Sequence, residues 1–189
     1  MRAISLATLL AFCALMLTGC FASDEPLIDE ATSVTPLKPG NYTATEVRRE
    51  EGDEPSKVKV TIEGNVTVLT SLDKADKDEA PTKVLLRKVR GNYYAMLEAK
   101  SDDKSYIYML VEIDGSGMKM YDFTTACKTL EGVAADKKTD ITSYGVARVE
   151  KSADADTCYF KRFDDLAKGF KAVIEASPPE LVTILAPSA

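Results

Sequence analysis

Twice in the first half of the chain, Gly-Asn separates two runs that read as β-strands. No other feature constrains the fold as much. At Gly64-Asn65 the preceding run, Lys57–Glu63, puts Val58, Val60 and Ile62 on one face and polar residues on the other, and Val66–Thr70 follows. At Gly91-Asn92, Val84–Arg90 precedes Tyr93–Ala99. Gly and Asn take positive φ at little cost, so the pair between two such runs specifies a tight antiparallel hairpin. A third hairpin joins Tyr106–Ile113 to Met118–Phe123 across Asp114-Gly115-Ser116-Gly117. Tyr106–Val111 is apolar on both faces, which places it centrally in the sheet or beneath a helix.

After Phe123 the pattern changes. Thr125 to Gly132 reads as one short helix, with Thr125 at its start and Gly132 just past its end. Ala134–Thr139 reads as loop, and alternation returns at Ser143–Glu150 and Thr157–Lys161. Asp164 to Ala176 carries Leu166, Phe170, Val173 and Ile174 on one helical face, with Asp164 and Asp165 at the positive end of the dipole. Pro178-Pro179 stop it, and Leu181–Leu185 reads as a last strand. Ser71–Pro81 reads as a long polar hairpin tip or loop. The expected fold is therefore mainly β (α+β): an antiparallel β-meander, a curled sheet or barrel-like, with a C-terminal helix packed on it. Gly40-Asn41-Tyr42 and Gly91-Asn92-Tyr93 share turn chemistry, but their flanks do not align as a repeat.

Composition removes several functions. The 189 residues contain no His and no Trp. Without His, neither a Ser-His-Asp or Cys-His nucleophile system nor a His-containing zinc site can be assembled. A formal charge of −6 argues against nucleic-acid binding, which needs a basic footprint. The acidic clusters at Asp73, Asp76, Asp78 and Glu79, and at Asp154 and Asp156, lack the ligand spacing and turn Gly of a calcium loop. Nothing resembling S-x-x-K or G-x-S-x-G marks a nucleophile. The reading is a protein without enzymatic activity, metal or cofactor.

The N-terminus carries an address. Arg2 precedes an apolar run from Ala3 to Leu17, interrupted only by Ser5 and Thr8. The run is shorter than the roughly 20 residues a helix needs to cross a bilayer, and it has the layout of a secretory signal. Leu17-Thr18-Gly19-Cys20 then resembles the bacterial lipobox. That resemblance implies removal of residues 1–19, acylation of Cys20 and a protein of the bacterial envelope facing the periplasm. Residue 21 is Phe, not the Asp that retains enteric lipoproteins at the inner membrane, so the analogy favours the outer membrane. Losing Arg2 leaves 23 cations against 30 anions, a formal charge of −7, so the acyl chains rather than charge hold the body to the membrane. Residues 20–39 are expected to form the lipidated Cys and an acidic tether with Pro26, Pro36 and Pro39, whose flexible part would reach about 20–25 Å. Residues 40–189 are expected to form a single β-rich domain.

In this reading Cys13 leaves with the signal and Cys20 carries lipid. Cys127 and Cys158 remain, an even pair in an oxidising compartment and hence an expected disulfide. The Tyr residues are the main aromatic resource of the body. Tyr94, Tyr106, Tyr108 and Tyr121 fall on adjoining strands, with Tyr93 beside them, and form a candidate binding patch.

Two families of β-rich lipoproteins are similar in part. Bacterial lipocalins share the length, the acylation and the order of meander, helix and last strand. Their G-x-W signature would fall at Gly40-Asn41-Tyr42, with Tyr in place of the Trp that plugs the barrel base. Lysozyme-inhibitor lipoproteins carry an S-G-S-G-x-x-Y type loop, to which Asp114-Gly115-Ser116-Gly117-Met118-Lys119-Met120-Tyr121 is faintly similar. The expected role is that of a lipid-anchored accessory module binding a protein or envelope component. The alternatives are a lipocalin-like carrier of a small apolar ligand and an inhibitor of an envelope-attacking hydrolase such as lysozyme.

Overall fold

The hairpin strands close on themselves. In the computed structural model, which describes residues 21–47, 54–73, 80–100, 105–115, 117–151 and 156–188, the strands are β1 (Phe21–Ser23), β2 (Gly40–Glu46), β3 (Ser56–Glu63), β4 (Val66–Ser71), β5 (Thr82–Arg90), β6 (Tyr93–Lys100), β7 (Tyr106–Asp114), β8 (Gly117–Tyr121), β9 (Val146–Glu150), β10 (Thr157–Phe160) and β11 (Leu181–Pro187). β2 to β8 follow one another as an antiparallel meander, and β11 enters between β8 and β2 to complete a closed eight-stranded barrel. Gly64 and Gly91 take φ of +60° and +49° in the two Gly-Asn turns, as tight hairpins require.

Alternation decides what each wall faces. Tyr42, Ala44, Val58, Val60, Leu69, Val84, Leu86, Met96, Met109, Val111, Ile113, Met118, Met120 and Leu185 point inward and form one buried cluster. All four methionines beyond residue 20 belong to it. A barrel of eight strands has an interior about wide enough for side chains to fill, and these residues fill it. On the outer face, Val89, Ala95, Tyr108 and Leu110 are covered by helices α1 (Ala126–Asp136) and α2 (Phe163–Ala176). β7 is thus buried on both sides, as its apolar run predicts.

Both helices follow their apolar stripes. α2 buries Leu166, Phe170 and Val173 and carries Asp164 and Asp165 in its first turn. At Gly169 a Cβ would lie 2.9 Å from the Phe160 ring, so the small residue lets the helix approach. α1 runs past Gly132 to Asp136, into the stretch expected to be loop, because Ala134 continues the buried face of Leu130 one turn on. The alternation expected from Ser143 begins only at Val146. Ile141–Tyr144 is a 3-10 turn whose start is capped by Asp140, which accepts the Thr142 N–H at 2.8 Å.

The segment expected to be a tether is part of the body. β1 pairs antiparallel with β7, Phe21 opposite Tyr108, and parallel with β10, Phe21 opposite Cys158. β8 takes the other half of the same β7 edge, so β1, β10 and β9 form a side sheet branching from the barrel wall. Residues 24–39 then cross the wall as a strap. Ile28 and Leu37 are 1% and 4% exposed. Near its middle the strap fills a gap. β4 pairs with β5 only from Thr82 to Val84, and beyond that Leu86 donates its N–H to Ser33 Oγ at 3.0 Å and accepts from the Val34 N–H at 2.8 Å. Composition marked this stretch as flexible, but Ile28 and Leu37 each find a buried position, while Val34 stays exposed.

Tyr108 fastens the strap. Its hydroxyl accepts the Leu27 N–H at 2.7 Å and shares a hydrogen bond with Ser23 Oγ at 2.9 Å. Arg87 adds a bond to the Leu27 carbonyl at 3.3 Å while its guanidinium stacks 4.0 Å from the Phe163 ring centroid. Tyr108→Phe is expected to lower stability by about 1–3 kcal/mol, because the Leu27 N–H loses its acceptor away from water. Urea denaturation checks the loss, and hydrogen exchange at Leu27 checks its location.

Candidate functional site

Where the strap meets the barrel it builds a cleft of about 460 Å³. Its walls are the strap from Pro36 to Pro39, the start of β2, the β7–β8 turn at Asp114 and Gly115, and Pro187-Ser188 at the end of β11. Tyr42, Tyr94 and Ile113 contribute apolar surface from the barrel strands, and Lys38, Asn41, Asp114 and Ser188 contribute polar groups. Leu37 and Tyr42 belong to the barrel core and close this mouth. The Tyr42 hydroxyl donates to the Lys38 carbonyl at 2.9 Å, which fixes strap to ring. Tyr42 thus closes this end of the barrel.

The rim depends on one glycine. Gly117 has φ of +132°, and a Cβ there would overlap the carbonyl oxygen of Leu185 on the neighbouring strand. Gly117→Ala is expected to cost about 2 kcal/mol and to pull β8 from β11 at the cleft. Amide protection at Met118 and Leu185 would report it, against unchanged protection in α2.

The candidate tyrosines do not come together as one patch. Tyr94 points inward at the mouth, whereas Tyr106 and Tyr108 lie on the opposite, helix-covered face of the wall. Tyr108 is 1% exposed and serves the strap. Tyr121 sits on the outer wall beside Tyr93, ring centroids 6.3 Å apart, and donates to Glu112 Oε2 at 2.6 Å. Lys119 approaches the same carboxylate at 3.5 Å. Burial, reinforced by the bond to Glu112, pushes the Tyr121 phenol well above its ordinary range, and burial raises Tyr108 and Tyr159 likewise. These phenols stay protonated at neutral pH. Of the candidate patch, only Tyr94 lies in the cleft.

The expected disulfide is present. Cys127 on α1 and Cys158 on β10 are bonded at 2.06 Å, both fully buried. Among the described residues no group of Cys, Asp or Glu is placed to hold a metal ion, and no helix is long and apolar enough to cross a membrane. Asp156 bonds Lys151 at 2.7 Å, and Asp73 accepts the Lys57 N–H at 3.1 Å. Asp76, Asp78, Glu79, Asp154 and the lipobox with Cys20 lie outside the described residues. The cleft could not be read from sequence, because the strap completes it; the Asp-Gly-Ser-Gly turn, Gly40-Asn41-Tyr42 and Tyr94 were its visible parts. Compared with protein-family models, with curated proteins and with solved structures, the chain matches none, so its function is argued from the site itself.

Proposed function

We propose that this protein is a lipid-anchored envelope lipoprotein, held through Cys20, that works as a non-enzymatic binding module with the strap-covered barrel mouth as its site. The observation that carries this reading is the cleft. It is concave and of ligand-binding size, and it combines Tyr, Pro and Ile surface with a few polar groups. Such a surface suits an exposed segment of a protein or another envelope component. The barrel interior, filled by its own side chains, supports recognition at the mouth over storage inside. The Asp114–Gly117 turn at the rim is the part that would enter a groove on an enzyme, were the partner an envelope-attacking hydrolase.

A photo-crosslinking residue at Tyr94, introduced in the native host, tests this. A discrete adduct from position 94, absent from position 59 on the outer wall, is the expected result. Equal labelling from both positions would sink the assignment of the mouth.

A second reading, a lipocalin-like carrier of a small apolar ligand, is favoured by a specific observation. Met96, Met109, Met118 and Met120 meet inside the closed barrel, and Met side chains repack readily around a guest.

A further inference from the structure

We propose that the open face of the side sheet, built on β10 and β9 beside β1, rests on the lipid headgroups of the membrane that holds Cys20; this builds on the lipoprotein reading above. The argument is one of chain length. Phe21 follows Cys20 directly, so the two Cα atoms are about 3.8 Å apart. Phe21 is 0% exposed and its strand is paired on both sides. No slack remains between a lipidated Cys20 and the folded body, and whatever surrounds the start of β1 lies at the bilayer.

The side sheet has two faces. Phe21, Val146, Cys158 and Phe160 point toward α1 and α2, whose bulk separates that face from any surface outside. Arg148, Glu150, Thr157 and Tyr159 point the other way, as strand alternation requires; Arg148 and Glu150 are exposed, and Tyr159 is buried beneath Arg148. Their chemistry fits a headgroup layer. The Arg148 guanidinium lies 3.4 Å from the Tyr159 ring centroid and makes a two-pronged bond to Asp24 at 2.6 and 2.9 Å. Basic side chains with long stems, as on exposed Arg148, concentrate at the membrane–water boundary. Glu150 and Asp24 offset the basic groups, so the acyl chains hold this face down and charge does not.

The opposite wall provides the control. β3 is four strands from β7 in either direction round the barrel, and a ring of eight tilted strands is about 16 Å across. Lys59 on β3 is exposed and points away from the barrel interior.

The test uses the full lipidated chain in phosphatidylethanolamine–phosphatidylglycerol vesicles containing a lipid with a nitroxide on its headgroup. A fluorophore is attached through Glu150→Cys or, separately, through Lys59→Cys. The expected result is quenching several-fold stronger at position 150 than at position 59. Equal quenching, or stronger quenching at 59, would overturn the proposal. The mass of the N-terminal fragment from the same preparation separates the two claims. An acylated Cys20 with no difference in quenching overturns the membrane-facing surface alone, whereas an unmodified Cys20 overturns the lipoprotein reading with it.

Discussion

Phe21→Ala is expected to lower the free energy of unfolding by about 3–5 kcal/mol, the cost of emptying a large aromatic site in a packed core. The Phe21 ring lies 4.9 Å from Phe160, 5.0 Å from Phe170 and 6.4 Å from Phe123, and Phe123 and Phe170 meet edge to face at 5.2 Å. Removing it withdraws the contact shared by side sheet, α2 and the link after β8. Equilibrium urea unfolding reads the effect as a lower midpoint with an unchanged slope. A residue in a flexible tether would give a change near zero. The measurement therefore decides between a tether and a strand at this position.

The second large effect is that of the disulfide. Cys127 and Cys158 are 31 residues apart, and closing a loop of that size stabilises a fold by about 3–4 kcal/mol in the chain-entropy model. The double variant Cys127→Ala, Cys158→Ala is expected to lose that amount, measured as the difference between oxidised and substituted protein in the same denaturant series. Cys158 is directly opposite Phe21 in the parallel pairing of β1 with β10, so the two perturbations share neighbours. Combining them is expected to give less than the sum, because the first loosens the side sheet on which the second acts. An additive result would mean that staple and aromatic cluster act on separate parts of the body.

The barrel was legible because its signals are local. Alternation in Lys57–Glu63 and the Gly-Asn turns each fix a hairpin with no knowledge of the rest of the chain. The double-sided apolar run Tyr106–Val111 likewise announced a strand covered twice. The strap was not legible, because a three-residue strand has no period, and Ile28 and Leu37 are isolated apolar residues in an acidic, Pro-containing stretch. Their burial is decided by the gap beside Leu86 and by the barrel mouth, features that exist only once the barrel has closed. The tyrosines fall between these cases. Neighbouring strand residues face opposite ways, so Tyr93 and Tyr94 had to separate, yet only closure reveals which of them faces inward. The cleft inherits the strap's illegibility. The disulfide needed only a count of cysteines and the compartment implied by the lipobox resemblance.

We propose that the barrel, filled by its own side chains, recognises a partner at its mouth. A native mass spectrum of the body from Phe21 onward, purified gently from its own host, tests this. The result expected is the bare chain mass less the two hydrogens of one disulfide. A small molecule retained in the native spectrum and released on denaturation would contradict it, and would establish the Met-lined interior as a carrier site.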